Sequence, residues 1–209
     1  MKKVFEGNSF YSELDKDYKT SKSLMNKKMK LVASLLNKGK YFLDIGSGSG
    51  ELISKIIHKY QKIIGIEIND NSIKILKEKF KNYNNVFILK TSVKDIKEEK
   101  FDICTTLDVL EHLENPKTIV KHIYNLLNSN GQYIITVPNW YDFIVSKLLK
   151  LNPYHITCHT IYGWKKILQD AGFKIELARS VEWPIMKSEF LAKKLPFFGK
   201  CLLFVCKKQ

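Results

Sequence analysis

The chain has 209 residues, of which 44% are hydrophobic and 27% charged, a composition that argues against disorder, collagen-like fibres and small disulfide scaffolds. Its 35 basic and 21 acidic side chains give a net charge of +14, but Arg179 is the only arginine. Because arginine supplies the planar fork that grips phosphates and guanine edges, a lysine excess is a weaker sign of nucleic-acid binding than +14 suggests.

The basic excess lies at the two ends of the chain. Residues 1–40 carry a net charge of +6 and residues 179–209 one of +5, whereas residues 41–178 carry only +3. This distribution is typical of basic flanks around an enzyme-like centre. A lysine- and asparagine-rich coding bias explains it equally well, so the charge alone assigns no partner.

The cysteines and the apolar segments indicate the compartment in which the protein is located. The four cysteines form no CxxC pair, which is typical of a reduced intracellular protein. The amino terminus lacks the apolar run of a signal peptide, and no stretch approaches 18 apolar residues, so we expect a cytoplasmic protein. Residues 142–151 and the segment from Phe197 combine apolar residues with lysines, as segments at a membrane surface do. Peripheral membrane contact is therefore an alternative to ordinary core packing there.

In chain order, the hydrophobic pattern first predicts a helix from Leu24 to Leu36, ended near Gly39. Short apolar runs then alternate with segments of helical periodicity. The predicted strands are 41–45, 62–67, 86–89, 101–107, 132–137, 173–178 and 202–207. The predicted helices after the first are 52–57, 72–80, 116–127 and 162–171. Strands that are apolar on both faces and alternate with helices predict an α/β fold, with a parallel sheet covered on both sides.

A glycine-rich turn follows the first predicted strand. Residues 43–50 read LDIGSGSG, with glycines at 46, 48 and 50. Glycines at this place let the backbone approach a ligand at the carboxyl end of the strand, where doubly wound sheets bind nucleotides. The spacing G-x-G-x-G differs from the dinucleotide fingerprint G-x-G-x-x-G, and the Gly-Lys-Ser/Thr of a phosphate-binding loop is absent.

A carboxylate ends the second predicted strand. Glu67 follows Gly50 by seventeen residues, where a carboxylate can accept both hydroxyl protons of a ribose. The glycine turn has no basic group to hold a pyrophosphate. An adenosine that carries a sulfonium and an amino-acid tail fits better, because Asp44 can interact with the ammonium group.

Six ordered motifs carry a resemblance to a known family. They are DIGSGSG at 44–50, GIE at 65–67, FDI at 101–103, DVLEHL at 108–113, NG at 130–131 and VPN at 137–139. Together they resemble the motifs of class I S-adenosylmethionine-dependent methyltransferases, and the closest subgroup includes the quinone-biosynthesis O-methyltransferases. The resemblance covers roughly residues 8–178.

The resemblance implies a Rossmann-like fold with a mostly parallel seven-stranded sheet and helices on both faces. We expect one methyltransferase domain over residues 1–209. Its parts would be an N-terminal helical cap at 1–39, a cofactor-binding core at 40–138, and an acceptor-side insert with closing strands at 139–209. Residues 8–18 resemble the leading helix that folds over the cofactor.

The resemblance also implies which residues bind the cofactor, S-adenosylmethionine, whose product is S-adenosylhomocysteine (SAH). Asp44 and the glycine turn would line the methionine part, Glu67 the ribose, and Leu107 the methyl group. Ser92 and Val93 would lie by the adenine, although the family usually has an acidic residue where Ser92 stands. The full expected set is Asp44, Gly46, Ser47, Gly48, Gly50, Glu67, Ile68, Ser92, Val93 and Leu107.

The acceptor site should follow the fourth strand. Asp108, Glu111 and His112 share one face if this segment is a helical turn. They could hold a divalent ion such as Mg²⁺, as a Glu-x-x-Glu-His run does in some relatives, or His112 could act alone as the base. The alternative is that Glu111 and His112 are structural and pack below the cofactor.

A second polar cluster contains His155, Cys158 and His159. In the resembling subgroup this region is the substrate-side loop, so His155 and His159 are further candidates for the catalytic base or for an additional metal ligand. The alternative for His159 is a loop histidine beside Thr160, which would cap the following helix.

These features predict an enzyme, an S-adenosylmethionine-dependent methyltransferase that acts on a small-molecule or lipid-linked acceptor. Oxygen is favoured as the acceptor atom, because the Asn/Asp-Pro-Pro-Tyr run of several amino-nitrogen methyltransferases is replaced here by Leu107 to Leu110. Two alternatives remain open: an RNA methyltransferase, which the charge favours, and a non-catalytic cofactor-binding subunit. The retained Asp44, Glu67 and glycines argue against the second.

Overall fold

A computed structural model of the protein describes residues 18–97, 99–140, 155–181 and 199–209. Three predictions fall outside these ranges. They are the leading helix up to residue 17, the amphipathic piece at 142–151, and the apolar link between the last two strands. Within the described part of the chain, none of the helices combines the length and the apolar character that crossing a membrane requires.

The seven predicted strands form one sheet, which confirms the predicted fold class. The strands are β1 Tyr41–Ile45, β2 Lys62–Glu67, β3 Val86–Lys90, β4 Phe101–Leu107, β5 Leu127–Pro138, β6 Phe173–Val181 and β7 Cys201–Lys208. Their order in the sheet is β3-β2-β1-β4-β5-β7-β6. Strands β1 to β5 pair in parallel, and β7 pairs antiparallel with both β5 and β6.

Among the described residues, five α-helices connect or precede these strands. They are α1 Tyr18–Leu35, α2 Glu51–Ile56, α3 Asp70–Phe80, α4 Pro116–Leu126 and α5 Ile161–Asp170. In the same ranges, two short 3₁₀ turns, at Val93–Asp95 and Leu110–His112, follow β3 and β4.

The starts of two helices and one strand differ from the predicted starts. Helix α1 includes residues from Tyr18 onward and therefore extends farther toward the amino terminus than the predicted start at Leu24. Helix α3 begins at Asp70, since the Asn69 side chain accepts a hydrogen bond from the Ser72 amide at 3.0 Å and caps it. Strand β5 begins at Leu127, which pairs with Phe101 of β4.

The sheet separates two hydrophobic cores. Phe42, Ile63 and Ile103 point to one face and pack with α1, α2 and α3, whereas their neighbours along the strands point to the other face and pack with α4 and α5. Alternation along each strand therefore explains why these runs are apolar throughout. Burial of one such side chain contributes about 1.5–3 kcal/mol to stability.

The strand order determines where a ligand can bind. Strand β1 lies between β2 and β4, and the chain changes direction along the sheet at this point. In open α/β sheets the crevice beyond the carboxyl ends of such strands is the usual ligand site. Asp44, Glu67 and Asp108 all lie at this edge, at the ends of β1, β2 and β4 respectively.

Candidate active site

The glycine turn after β1 is held against β2 by two hydrogen bonds. The Gly46 and Ser47 amides both donate to the Ile66 carbonyl, at 2.9 and 3.1 Å. Gly46 has a φ of 72° and Gly48 one of 52°, a backbone region that favours glycine. A Cβ at Gly46 would lie 2.5 Å from Val109 Cγ2, whereas one at Gly48 would meet none of the described atoms within 4 Å. Gly46 is therefore required by packing, and Gly48 leaves open space for a ligand.

Gly50 has a packing role. A Cβ at this position would lie 2.5 Å from the Phe80 ring and 2.8 Å from Leu76, both on α3. Gly50 thus allows the turn to lie against α3, and it supports the site without facing the crevice as Gly48 does.

Three backbone amides orient the Glu67 carboxylate. Its Oε1 accepts from the Ile68 and Asn69 amides at 2.8 and 3.0 Å, and its Oε2 accepts from the Gly48 amide at 3.0 Å. Glu67 is buried, and its Oε1 already accepts two hydrogen bonds, so by lone-pair count one acceptor site remains, on Oε2. This fixed carboxylate can receive a hydroxyl group of a ribose.

Asp44 is a buried carboxylate with one strong partner. Its side chain accepts a hydrogen bond from the Thr105 hydroxyl at 2.7 Å, and the residue is 3% exposed. Burial raises the pKa of Asp44 to about 6, although the hydrogen bonds from Thr105 and Ser47 oppose the shift. A cationic ligand group beside Asp44 would favour its ionised form.

The remaining predicted cofactor residues lie at or just after the ends of β2, β3 and β4. Ile68 follows Glu67 and is 70% exposed, Val93 is buried, and Leu107 ends β4. The Ser92 hydroxyl caps the turn at 93–95 through a 3.4 Å contact from the Lys94 amide. Ser92 therefore has a local structural role in addition to the predicted contact with adenine.

The residues present fit S-adenosylmethionine. Gly48 leaves room for the ligand, Asp44 offers a carboxylate for an ammonium group, and Glu67 offers one for a hydroxyl group. When bound, the cofactor supplies an electrophilic methyl group on its sulfonium.

On the acceptor side, Asp108 forms an ion pair that the sequence reasoning missed. Its Oδ2 receives the ammonium group of Lys28 from α1, and its Oδ1 accepts from the Thr136 hydroxyl at 2.8 Å and lies 3.7 Å from Cys201 Sγ. Asp108 has a φ of 56°, rare for a residue other than glycine. Burial alone would raise the pKa of Asp108, but Lys28 and the hydrogen bonds outweigh it and hold the pKa below its usual value.

Glu111 is the most buried ionisable group of the acceptor side. It is 1% exposed, and none of the described residues donates a hydrogen bond to its carboxylate oxygens. Burial, and to a lesser extent the charge of Asp108, raise the pKa of Glu111 well above its usual value. Its backbone carbonyl accepts from the Ile156 and Thr157 amides at 3.0 Å, which brings the loop after residue 154 to the site.

This loop places His155 beside His112. The ring centres are 5.1 Å apart with an edge-to-face orientation, and one ligand-type atom from each of Glu111, His112 and His155 lies within 4.8 Å of the others. Burial, and then the charge of His112, lower the pKa of His155 to about 4. His155 is therefore neutral at pH 7.

This group does not suit the Mg²⁺ ion that the family resemblance implied. Magnesium prefers oxygen ligands in octahedral geometry, whereas two of the three groups here are imidazoles, which suit transition metals better. The Asp108 carboxylate, the other predicted oxygen ligand, receives the Lys28 ammonium instead. The residues thus do not fit Mg²⁺, and no step proposed below involves it.

His159 and Cys158 follow His155 in the same loop. The His159 ring packs edge-on against Trp164 of α5 at 5.1 Å, and burial lowers its pKa. The neighbouring Thr160 caps α5 by accepting from the Gly163 amide at 3.2 Å, as the structural alternative expected. Cys158 Sγ lies 3.9 Å from the Pro138 carbonyl.

Three side chains of the site were missed by sequence reasoning: Lys28, Thr105 and Thr136. The threonines gave no usable signal, because threonine is common in strands. Lys28 did give one: it stands four residues before Val32, on the apolar stripe of α1, where a lysine needs a buried partner.

Comparisons with known proteins agree with the geometry. A family model for a methyltransferase domain matches residues 17–178. The ubiquinone biosynthesis O-methyltransferase of Glaesserella parasuis serovar 5 (strain SH0165) is 31% identical over 109 residues, which are 48% of this chain and 46% of that protein. The chain spans about half the length of the curated relatives it matches.

Solved structures share the fold. An S-adenosylmethionine-dependent methyltransferase from Clostridium acetobutylicum ATCC 824 has a TM-score of 0.69 at 15% identity, over 96% of this chain and 98% of that chain. The magnesium protoporphyrin IX methyltransferase of Synechocystis PCC 6803, with bound SAH, has a TM-score of 0.66 at 18% identity, over 88% of this chain and 83% of that chain. Identities this low support the fold alone.

The fold and the crevice therefore define a class I S-adenosylmethionine-dependent methyltransferase. The chain belongs to the methyltransferase-domain family, whose match covers most of its length.

Proposed function

We propose that this protein transfers the methyl group of S-adenosylmethionine to a hydroxyl group of a small-molecule or lipid-linked acceptor. The observation that carries the proposal is that the glycine turn of the cofactor site lies against the segment that leads into the acceptor-side residues. Val109 approaches Gly46 of the cofactor turn, and the 3₁₀ turn with Glu111 and His112 begins at the next residue. The O-methyltransferase relative supports oxygen as the acceptor atom.

His112 is the base of the proposed reaction. As the acceptor oxygen attacks the methyl carbon, its proton passes to an imidazole nitrogen of His112; a C–O bond forms while the C–S bond breaks, leaving SAH. His155 is a weak base, because burial lowers its pKa to about 4, and its ring packs against the His112 ring. Burial favours the uncharged form of Glu111, which places no negative charge beside the two imidazoles.

The proposal predicts the effect of replacing His112. With an acceptor found by screening hydroxylated small molecules, with and without a lipid tail, for uptake of labelled methyl, His112→Gln should lower kcat by about 100- to 10,000-fold. Cofactor affinity measured by calorimetry should stay within about threefold, because His112 acts on the acceptor side. The exposed His58 is the matched control, and His58→Gln should leave both quantities unchanged.

Three results would contradict the proposal or a part of it. Absence of S-adenosylmethionine binding in calorimetry would contradict methyl transfer itself. Unchanged kcat in His112→Gln would show that His112 is not the base, without contradicting methyl transfer. If only RNA accepts the label, and its binding weakens steeply with salt, the RNA alternative is correct instead.

A further inference from the structure

Lys28 is an unusual lysine. It lies on α1 next to Met29 and one turn before Val32, both buried, and is itself only 7% exposed. Lysines this buried are rare unless their charge is paired, because moving an ammonium group out of water is costly. The position of Lys28 therefore needs a reason beyond the general lysine excess of the chain.

The reason lies at the end of β4. The Lys28 ammonium contacts Asp108 Oδ2, and its positive charge also acts on the Glu111 carboxyl group. Asp108 and Glu111 repel each other, since the charge of one disfavours ionisation of the other. The ionised Asp108 carboxylate needs a cation at this buried site, and Lys28 brings one from a helix 80 residues earlier in the chain.

The same contact limits what a metal ion could bind. Asp108 directs Oδ2 to Lys28, and its Oδ1 accepts from Thr136, so both oxygens are engaged. The group whose ligand atoms lie together, Glu111 with His112 and His155, has only one carboxylate and does not include Asp108. A lysine at this point thus keeps Asp108 Oδ2 engaged and adds a positive charge that repels a divalent ion.

We propose that Lys28 is the built-in cation of the acceptor site, a positioning residue that occupies Asp108 and takes the place of a divalent ion beside Asp108 and Glu111. Helix α1 then delivers to the acceptor site the charge that a bound metal would otherwise supply. The inference rests on the proposed function only for the location of the acceptor site.

Binding of Mn²⁺ to the full chain tests the proposal without any acceptor. Electron paramagnetic resonance titration should show Mn²⁺ binding at least about tenfold tighter in Lys28→Met than in the wild type, because the substitution frees an oxygen ligand and removes a repulsive charge. Lys28→Arg, which keeps the charge, and Lys30→Met, at an exposed position of the same helix, should behave like the wild type. The double variant Lys28→Met/Asp108→Asn should lose the gain.

Lys28→Gln provides a second measurement if Lys28→Met does not fold. Its side-chain amide can still donate a hydrogen bond to Asp108 but carries no charge, so Mn²⁺ should bind tighter than in the wild type. The proposal is overturned if Lys28→Gln binds Mn²⁺ no tighter than the wild type, or if the wild type binds Mn²⁺ as tightly as Lys28→Met. Cofactor binding to the wild type, measured separately, distinguishes either result from a failure of the proposed methyl transfer.

Discussion

Asp44 shows how one residue meets two opposed requirements. It lies 3% exposed at the end of β1, where the ammonium group of the cofactor would bind, and burial raises its pKa to about 6. The carboxyl group of an unfolded aspartate has a pKa near 4, so the folded protein binds this proton more tightly. The stability that Asp44 contributes is therefore present in full below about pH 4 and is lost as the pH rises through about 6. At neutral pH the charge that favours cofactor binding is a cost to the folded state.

Replacement of Asp44 by asparagine should separate these effects. Asp44→Asn keeps an oxygen for the Thr105 hydroxyl and removes the buried charge, so its unfolding free energy at pH 7.5 should exceed that of the wild type by up to about 3 kcal/mol. The difference should vanish near pH 4, and cofactor affinity at pH 7.5 should fall at least about tenfold. Urea denaturation and calorimetry measure the two quantities.

Asp102 provides the control of opposite sign. Its carboxylate accepts from the Lys40 and Tyr41 amides at 2.7 and 3.0 Å, and these contacts hold its pKa below the usual value despite partial burial. Asp102→Asn should therefore destabilise the protein at pH 7.5. A loss of stability in Asp44→Asn as well would show that the charge of Asp44 is compensated in the protein without cofactor.

At the scale of elements, the turn between β1 and α2 separates a packing role from a binding role. Gly46 and Gly48 share the same backbone region, but only Gly46 lies against Val109. Gly48→Ala should lower the unfolding free energy by about 1–2 kcal/mol through backbone strain alone, and should weaken cofactor binding at least tenfold by filling the crevice. Gly46→Ala adds a steric clash and should cost about 2–4 kcal/mol.

A second substitution tests the cause of the larger cost. Val109→Ala removes the methyl group that a Cβ at Gly46 would meet, so the double variant Gly46→Ala/Val109→Ala should be less destabilised than the sum of the two single variants. Urea denaturation of the three variants measures this coupling. Additive effects would show that the cost of Gly46→Ala comes from backbone strain alone. For the other glycine, unchanged cofactor affinity in Gly48→Ala would show that the cofactor binds elsewhere.

The elements themselves were largely predictable. All seven strands were anticipated because short apolar runs stand out between segments of helical periodicity. Their ends were less so: the start of β5 at Leu127 depends on its pairing with Phe101, and the start of α3 depends on the Asn69 cap. Local periodicity does not encode such pairings.

For the whole molecule, the structure assigns a role to part of the lysine excess. Several lysines donate hydrogen bonds to backbone carbonyls, many of them at the carboxyl ends of helices, where positive charge is favourable. The pairs are Lys59 with Ala33, Lys79 with Ser49, Lys100 with Asn125, Lys121 with Ala171, and Lys208 with Leu127. These contacts explain individual lysines by local structure, without a nucleic-acid partner.

The net charge of +14 should still make the stability sensitive to salt. Raising the NaCl concentration from about 0.05 to about 0.5 M screens the repulsion among the lysines, so Tm should rise by a few degrees. Thermal unfolding followed by circular dichroism, with sucrose at matched osmolality as the control, measures this effect. A fall of Tm with salt would mean that the attractive contacts of the lysines outweigh their mutual repulsion.

The amino-acid sequence by itself determined the α/β alternation, the glycine turn, and the positions of Asp44 and Glu67, because these features depend on neighbours within a few residues. Only the tertiary structure decided that Lys28 forms an ion pair with Asp108, that Thr105 donates a hydrogen bond to Asp44, and that His155 lies close to Glu111 and His112. The partners in each of these contacts are more than forty residues apart. Their meeting depends on how α1, the strand order and the loop after residue 154 pack in space, and the hydrophobic period of a single segment carries no information about that packing.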